Sequence, residues 1–459
     1  MRSVKSAHAT LYGLLLLLVP VVARAQTWTE IVKLTASDAE AGEEFGFSTA
    51  VSGDTVVVGV HLEDSEGTNA GAAYVFERDQ GGPDNWGMVK KLLASDAAAF
   101  DEFGISVTIS GDTVIVGSYA DDVDGNVDAG SAYVFERNQG GPNNWGEVKQ
   151  LMGLAGAFSE NFGASVALDG DTAIIGAIDA ANDLDIPSGA VYIFERNEGG
   201  ANNWGEIIRL TSSDGENFDL FGAAVDISGD TVIVGSHQSD DACPPVPVCN
   251  SGAAYIFERD EGGVDNWGEV KKLIATDLAM GAHFGFSVTI SGDTAVMGSY
   301  RDSGVASESG AAYVFERNLG GTDNWGQLKK LIASDATAVD QFGYSVALSG
   351  NTLVVGTWLD DDSGFSSGAA YVFGRQAGGP NNWGEVTKLG ASDAVAEDRF
   401  GVSVGIDGDR AVVGTHRADD ACPADPQCNS GAVYVFDSNL IFGDGFESGD
   451  LTAWSMVQP

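Results

Sequence analysis

One repeated pattern constrains this chain more than any other feature. A Phe-Gly pair recurs seven times along the sequence, and its spacing is nearly constant except for a wider step between the fourth and fifth copies. Two glycines, Gly53 and Gly59 in the first copy, follow each pair at offsets that do not vary. Repetition at a fixed period indicates that each copy folds as one supersecondary unit and stacks on its neighbours. The Phe residues of the pairs are Phe45, Phe103, Phe162, Phe221, Phe284, Phe342 and Phe400.

The second copy shows what one unit contains. Its first predicted strand is FGISVTIS from Phe103, its second is TVIVGS from Thr113, its third is GSAYVFER from Gly130 and its fourth is WGEVKQL from Trp145. Short runs of β-branched and aromatic residues that are bounded by Gly, Asn and Asp are typical of strands. No segment after residue 25 shows a sustained helical period, so the pattern predicts an all-β fold.

The fourth strand of the last copy is displaced. In the other six copies this strand opens with a Trp at a fixed distance before the next Phe-Gly pair, as Trp86 stands before Phe103. No such strand follows Phe436 in the last copy, yet Trp28 stands at that same distance before Phe45. A first segment that completes the last unit closes a ring and removes both free sheet edges. We therefore predict a seven-bladed β-propeller of four-stranded blades, closed by the N-terminal strand, over residues 26–437.

These residues resemble a known family. The pattern FGxSVxISGDTVVVGS followed by GAAYVFER is similar to the FG-GAP repeat, the blade of the integrin α-subunit β-propeller, and the YVFER and NWGEVKKL segments resemble its bacterial secreted branch. The resemblance implies seven blades and a role in adhesion or ligand binding. Integrin-type blades often carry a DxDxDG calcium loop between their first two strands, whereas this chain has only SGDT or a variant there, as at Gly53-Asp54. We therefore do not carry over the family's calcium sites.

The two ends of the chain lie outside the repeat. Arg2 and Lys5 precede an apolar run from Leu11 to Val22 and an Ala-Arg-Ala motif that ends at Ala25. This order is typical of a signal peptide, so we expect residues 1–25 to be removed and the product to be secreted, or held at the surface or in the periplasm of a bacterium. The C-terminal tail, residues 438–459 with the motif GDGFESGDLTAWS, is either a flexible extension or a sorting signal.

The charge balance narrows the range of partners. The chain has 67 acidic against 23 basic residues, a formal net charge of −44. Because like charges repel, this balance argues against nucleic acid and anionic membrane surfaces as partners. No segment after the signal peptide is apolar enough to span a membrane. We expect a monomer that binds a protein or a glycan.

Length varies at one place in the repeat, the loop between the second and third strands. This loop is nearly constant in five copies and is longer in the fourth, from Gly235 to Gly252, and in the seventh, from Gly414 to Gly431. We call the variable face the end of the propeller formed by these loops and by the connections between blades. The tight-turn face is the opposite end, formed by the SGDT turns and the Gly-rich hairpins. Since loops on a rigid scaffold usually carry binding, the variable face is the candidate functional surface.

The two longest of these loops contain the four cysteines. In an exported protein, Cys243 with Cys249 and Cys422 with Cys428 predict two disulfides, each within one loop. A metal site is the alternative, although the CxxxxxC spacing is not typical of zinc.

Flat side chains recur just after the second strand. Aromatic or His residues occupy this position in six of the seven copies, and acidic residues follow them closely. Such a ring could bind a sugar, a peptide or a cation, or each side chain could pack under its own loop. The candidate ligand-binding residues are His61, Tyr119, His237, Tyr300, Trp358 and His416.

Candidate chemistry is otherwise sparse. Asp122, Asp124, Asn126 and Asp128 alternate as oxygen ligands do, but the segment fails the EF-hand pattern, so it is either a weak calcium site or a solvated acidic loop. Calcium is the only cofactor considered.

An Asp also precedes six of the Phe-Gly pairs at a fixed offset, as Asp277 precedes Phe284. A role that repeats in blade after blade is better explained by turn structure than by catalysis.

These observations favour a protein that binds a ligand or partner, for adhesion or recognition, without catalysing a reaction. One alternative is a carbohydrate-active lyase or hydrolase with its carboxylates at the propeller mouth. Another is a structural module whose acidic surface serves solubility.

Overall fold

A computed structural model describes residues 27–153, 159–182, 184–240, 249–264, 266–419 and 428–439. In these ranges the chain forms seven four-stranded antiparallel sheets and no helix. The first strands of the seven sheets contact one another in chain order, and the last of them contacts the first, so they line a closed ring. The predicted seven-bladed propeller is confirmed. The described residues contain no helix with the length and apolar character that crossing a membrane requires.

The blades use the strands in sequence order: β2–β5, β6–β9, β10–β13, β14–β17, β18–β21, β22–β25, and β26–β28 with β1. The strands are β1 (Thr27–Leu34), β2 (Ser48–Ser52), β3 (Thr55–Val60), β4 (Ala72–Glu77), β5 (Gly87–Leu92), β6 (Ser106–Ser110), β7 (Thr113–Ser118), β8 (Ser131–Glu136), β9 (Gly146–Leu151), β10 (Phe162–Asp169), β11 (Thr172–Ala177), β12 (Ala190–Glu195), β13 (Gly205–Leu210), β14 (Ala224–Ser228), β15 (Thr231–Ser236), β16 (Ala253–Arg259), β17 (Trp267–Leu273), β18 (Ser287–Ser291), β19 (Thr294–Ser299), β20 (Ala311–Glu316), β21 (Gly326–Leu331), β22 (Ser345–Ser349), β23 (Thr352–Thr357), β24 (Ala369–Gly374), β25 (Gly384–Leu389), β26 (Phe400–Asp407), β27 (Arg410–Thr415) and β28 (Ala432–Asn439).

The N-terminal strand closes the ring as predicted. β1 pairs antiparallel with β28, from Thr27 opposite Asn439 to Leu34 opposite Val433, and completes the seventh blade. The register of this pair shifts at Ile31, between Glu30 and Val32. The fourth strands of the other six blades carry the same irregularity, for example opposite Val75 and Phe76 in the first blade. β1 is therefore a fourth strand in its detailed geometry as well as in its sequence.

The Phe of each Phe-Gly pair anchors the core between neighbouring blades. Phe103 meets Tyr133 and Phe135 of its own blade edge-on, with ring centroids 5.4 and 6.0 Å apart. The same buried cluster includes Val57 and Val75 of the preceding blade. Such edge-to-face packing adds to the stabilisation from apolar burial. All seven blades repeat the Phe-Tyr-Phe contacts.

The invariant glycine of the second strand allows adjacent blades to approach. A Cβ on Gly117 would lie 2.0 Å from the carbonyl oxygen of Gly163, which belongs to the next blade. Ser106 donates a hydrogen bond to the same oxygen at 2.8 Å. Five other blades repeat this serine contact, including Ser403, whose hydroxyl donates to the Gly46 carbonyl at 2.9 Å. The serine contact therefore joins neighbouring blades, and at Ser403 it joins the last blade to the first.

Arginines join the blades at the tight-turn face. Arg196 of the third blade forms an ion pair with Glu136 and donates a 2.7 Å hydrogen bond to Thr113, both in the second blade. Its guanidinium also lies 4.7 Å from the ring centroid of Trp204. The same set of contacts is made by Arg137, Arg259, Arg317 and Arg375.

The seventh blade departs from this arrangement. Gly374 and Ser438 stand where the other blades have the Glu and the Arg of this pair, so the contact is missing between blades six and seven. At the closing interface, Arg410 of the seventh blade reaches Asp54 of the first blade at 2.8 Å and lies 5.0 Å from the Trp86 ring centroid. At the regular interfaces the arginine comes from the later of the two blades in the chain. At the closure it comes from the seventh blade and contacts the first.

Candidate functional site

The variable face is tied together by a backbone bond that every blade repeats. The amide three positions before each Phe-Gly pair donates to a carbonyl of the preceding blade's long loop, as from Phe100 to Thr68 at 2.8 Å and from Phe218 to Pro187 at 2.9 Å. The residue that makes this bond has a positive φ in all seven blades. Two blades have Gly here and five have a residue with a side chain: Gly42, Phe100, Ser159, Phe218, Gly281, Val339 and Glu397.

The six candidate ligand-binding residues lie on this face, where the second strands end. His61 and His416 are buried, and the other four are partly buried. His61 and His416 both pack on Phe47, with ring centroids 4.3 and 6.0 Å away. These contacts bring the first and last copies of the repeat together.

A continuous arc of rings extends from these residues through blades six, five and four. Trp358 stacks on Tyr344 at 4.5 Å, and Tyr344 contacts Tyr300 at 5.7 Å. Tyr300 contacts His283 at 5.5 Å, and His283 contacts His237 at 5.6 Å. Tyr119 lies outside the arc and interacts with the Glu102 carboxyl. Four of the six candidates, His237, Tyr300, Trp358 and His416, therefore contact a ring of a neighbouring blade. Packing under each residue's own loop was one of the two alternatives, and the role of the six residues in ligand binding stays a prediction.

All four histidines of the described chain belong to this arc. Burial lowers the pKa of His61 and His283 to about 4, and that of His237 and His416 to about 3. The Nδ1 atom of each is buried without a hydrogen-bond partner among the described residues. At neutral pH these side chains act as neutral aromatic rings.

The acidic residues beside the candidate ring are used internally. In the fifth blade the Tyr313 hydroxyl donates to Asp302 at 2.7 Å, and the Lys330 ammonium lies 2.9 Å from both Asp302 and Asp277. Asp277 is the recurrent Asp that precedes the Phe-Gly pair, so in this blade it binds a Lys. The sequence did not reveal this cluster because its members are distant in the chain. Blades one and six have the same cluster, around Lys91 and Lys388.

One group of carboxylates converges as metal ligands do. Oxygens of Asp335, Asp360 and Asp362 lie within 4.8 Å of one another. The Lys388 ammonium is 2.9, 2.8 and 2.6 Å from these three carboxylates. A lysine therefore already supplies the positive charge at this position.

The weak calcium candidate forms a loop of its own. Asp122 accepts the Asp128 amide at 3.0 Å, and Asp124 and Asp128 both have a positive φ. The backbone N–H of Asn126 donates to the Val123 carbonyl at 2.9 Å. One carboxylate thus helps to fold the loop, and calcium binding stays a prediction.

The two predicted disulfides involve Cys243 and Cys422, which lie outside the described residues. Their proposed partners, Cys249 and Cys428, are buried, and their carbonyls accept the amides of Gly281 and Gly42 at 2.8 and 2.7 Å. The pairings stay a prediction. The signal peptide and residues 440–459 also lie outside the described residues.

Sequence reasoning missed a second ring at the variable face, formed by the residue before each Phe-Gly pair. Its members all have a positive φ: Glu44, Glu102, Asn161, Leu220, His283, Gln341 and Arg399. Gln341 accepts a 2.7 Å hydrogen bond from the Trp358 indole, and the Arg399 guanidinium lies 4.6 Å from the Trp358 ring centroid. The invariant offset to Phe-Gly could have identified this position.

Known proteins resemble this chain to different degrees. No curated protein matches the sequence. Among solved structures, the crystal structure of Saccharomyces cerevisiae Sqt1 is similar, with a TM-score of 0.45, 11% identity, and coverage of 85% of this chain and 83% of that one. The FG-GAP repeat model matches seven times, at residues 28–76, 86–135, 145–194, 204–257, 267–315, 325–373 and 383–436. Seven matched repeats, one for each blade of the propeller, show that this chain belongs to the FG-GAP repeat family.

Proposed function

We propose that this propeller binds a partner protein through its variable face and that it does so without catalysis. The observation that carries this proposal is the distribution of exposed apolar side chains. Of the 15 large hydrophobic side chains exposed among the described residues, 11 lie in the variable-face loops and connections. Exposed apolar groups collected on one surface are typical of interaction sites. The 11 are Phe100, Val127, Met152, Leu184, Phe218, Met280, Val305, Ile332, Val339, Phe365 and Val395.

Three of these side chains occupy an unfavourable backbone position. Phe100, Phe218 and Val339 have φ values of 75, 69 and 71°, where an L-residue costs about 1 kcal/mol more than glycine. The equivalent residues Gly42 and Gly281 show that glycine fits here. The first two side chains are 60% exposed and Val339 is 47% exposed, so packing inside the protein does not offset that cost. Strain retained at an exposed site supports a functional role for these side chains.

Charge supports a particular kind of partner. The net charge of −44 attracts basic surfaces and accelerates their association. We therefore propose a partner protein with a positively charged, partly apolar surface, met after export of this protein from the cell. A catalytic role for the carboxylates at the mouth has less support, because Tyr and Lys side chains engage them in several blades.

The test replaces the three strained side chains by glycine. The variant Phe100→Gly/Phe218→Gly/Val339→Gly should gain thermal stability, because it relieves backbone strain, and should lose binding on an array of purified proteins and glycans. Ser159→Gly is the matched control, since Ser159 occupies the same position with φ 53° and a polar side chain. It should keep every array signal. An array pattern that is unchanged in the triple variant would contradict the proposal, and loss of glycan signals alone would favour the carbohydrate alternative.

A further inference from the structure

Two arginines on the variable face lack the hydrogen bonds that the arginines of the tight-turn face make. The tight-turn arginines pair closely with Asp or Glu, whereas on the variable face Arg301 and Arg417 lie only within 3.9 and 4.0 Å of Glu308 and Glu44. The side chains of Arg399 and Arg417 donate no hydrogen bond to any described residue. Their Nε atoms are buried without a partner, as are those of Arg317 and Arg375, but the latter two arginines donate through their other nitrogens. Leaving a buried donor atom without a hydrogen-bond acceptor is unfavourable.

Arg399 is nevertheless held in a fixed place. Its guanidinium lies 4.6 Å from the Trp358 ring centroid, and Tyr344 stacks on Trp358 at 4.5 Å. The Trp358 indole is itself fixed by its 2.7 Å hydrogen bond to Gln341. A cation placed on an aromatic ring retains its hydrogen-bond donors for another group.

Charges of both signs act on Arg399. Burial and the neighbouring Arg417 lower the pKa of Arg399, and the attraction of Glu44 and Glu397 does not compensate. Glu44 lies 4.0 Å from the Arg417 Nε, too far for a hydrogen bond. An anion beside Arg399 would gain its guanidinium as a donor, and the positive charge of the neighbouring Arg417 would add to the attraction.

An apolar cleft opens beside Arg399. The cleft has a volume of about 310 Å³ and is lined by Val339, Leu359 and Phe365 together with Arg399, Asp361 and Glu397. Asp361 accepts the Ser366 amide at 2.6 Å and so helps to form the loop. The two acidic side chains disfavour a multiply charged anion such as phosphate, whereas a single carboxylate joined to an apolar group matches the lining.

This arrangement occurs in one blade. Among the seven residues that precede the Phe-Gly pairs, Arg399 is the only arginine. The other arginine peculiar to the seventh blade, Arg410, pairs across the closure, whereas Arg399 forms no ion pair or hydrogen bond among the described residues and is available for another role.

We propose that Arg399 and Arg417 bind the carboxylate of an Asp or Glu side chain in a peptide segment of the partner, with an adjacent apolar residue in the cleft of Val339, Leu359 and Phe365. Guanidinium groups recognise carboxylates well because their planar donors match the two oxygens. This site rests on the proposed function, because it supplies an anchoring contact for a partner on the variable face. It gives the otherwise basic partner one acidic contact that fixes its orientation.

The test uses two blocked peptides, acetyl-Leu-Asp-Phe-amide and acetyl-Leu-Asn-Phe-amide, with titration calorimetry on the full chain. The Asp peptide should bind saturably, and Arg399→Gln or Arg417→Gln should weaken it about tenfold or more, the scale of a charged hydrogen bond. Arg301→Gln is the matched control and should bind as the parent does. Phe365→Ala should weaken binding without removing it. Thermal melts should show all four variants folded.

Several outcomes would overturn the site. These are no saturable binding of the Asp peptide, equal affinity for the Asn peptide, or unchanged affinity in Arg399→Gln. Binding of free glucuronate with the same arginine dependence but no effect of Phe365→Ala would indicate a glycan carboxylate and contradict a peptide. If the peptide test fails while the triple glycine variant still loses its array signals, only this site is wrong. If the triple variant keeps its signals, the proposed function itself fails.

Discussion

The two ends of the propeller use charged and apolar side chains in opposite ways. On the tight-turn face, Arg196 pairs with Glu136 and covers Trp204, and four other blades repeat the arrangement with little change. On the variable face, the guanidinium groups of Arg399 and Arg417 have no hydrogen-bond acceptor among the described residues, and most of the exposed apolar side chains collect there. Contacts that repeat in many blades stabilise the ring, whereas side chains that make no hydrogen bond across blades are free to serve binding.

The seventh blade shows both behaviours. It lacks the repeated arginine contact to the sixth blade and makes the contact at the closure with Arg410. It also carries Arg399 and Arg417 on the other face. The blade that closes the ring therefore departs from the repeat on both faces.

The largest expected effect comes from removing the closing strand, on which both faces depend. Deleting residues 27–34 leaves β28 as an open edge and exposes the last blade. We expect the deletion variant to lose cooperative thermal unfolding, as monitored by circular dichroism. A synthetic peptide of residues 27–34 added in trans should restore the transition. A deletion variant that melts like the parent would show that closure does not stabilise the ring.

Glycine substitutions compare the two ends of a single blade. Gly117→Ala places a Cβ 2.0 Å from the Gly163 carbonyl at the variable-face end of β7, and should cost roughly 3 kcal/mol or more. In Gly111→Ala, at the tight turn, the added Cβ meets no atom within 4 Å. The substitution should cost only the backbone strain of its φ of +57°, about 1 kcal/mol. Urea unfolding of the two variants measures the difference. Equal losses would mean that close approach of blades does not limit the variable-face end.

The buried histidines predict that the stability of the fold depends on pH through residues of the variable face. Burial lowers the folded pKa of His61 to about 4, so the unfolded chain binds its proton first as the pH falls below about 6.5. Stability from this residue is complete above that pH and is lost as the pH approaches 4. Between about pH 7.5 and about pH 5, the free energy of unfolding of His61→Phe should therefore fall by about 2 kcal/mol less than that of the parent. Tyr300→Phe is the control, since burial raises the pKa of Tyr300 and keeps its titration far from this range.

Arginine substitutions test the contrast between the faces directly. Arg196→Gln removes an ion pair, a hydrogen bond to Thr113 and a contact with Trp204, and should destabilise the fold by about 1 to 2 kcal/mol. Arg399→Gln removes a contact with the Trp358 ring but no ion pair or hydrogen bond among the described residues, so it should change stability by less than Arg196→Gln does. Chemical unfolding at low and high salt distinguishes the two. If Arg399→Gln were the more destabilising, the arginine would have a structural role that its contacts do not show.

The smallest expected effect concerns a blade that lacks the buried lysine. Gln150 donates to Asp96 at 3.1 Å and to Asp121 at 3.3 Å, in the position that Lys330 takes in the fifth blade. Gln150→Lys should stabilise the second blade by about 0.5 to 1 kcal/mol at low salt, and less at high salt. Lys330→Gln should lower the stability of the fifth blade by a comparable amount. A gain that does not respond to salt would point to a cause other than charge pairing.

Much of the fold was predictable because its signals are local and repeated. The constant offsets around Phe-Gly predicted four strands per blade, and Trp28 predicted the closure that β1 and β28 form. The position of the candidate ring was also predicted, since it follows from strand length alone. Its contacts were not, because Phe47 and His416 are joined only when the ring closes.

The sequence by itself determined the number of blades, the strand order and the face on which loops vary, because periodicity and turn residues act between neighbours in the chain. Only the tertiary structure decided which side chains meet across blades. It placed Lys330 between two carboxylates and left Arg399 on Trp358 without an acceptor, since these pairings depend on the geometry of the closed ring.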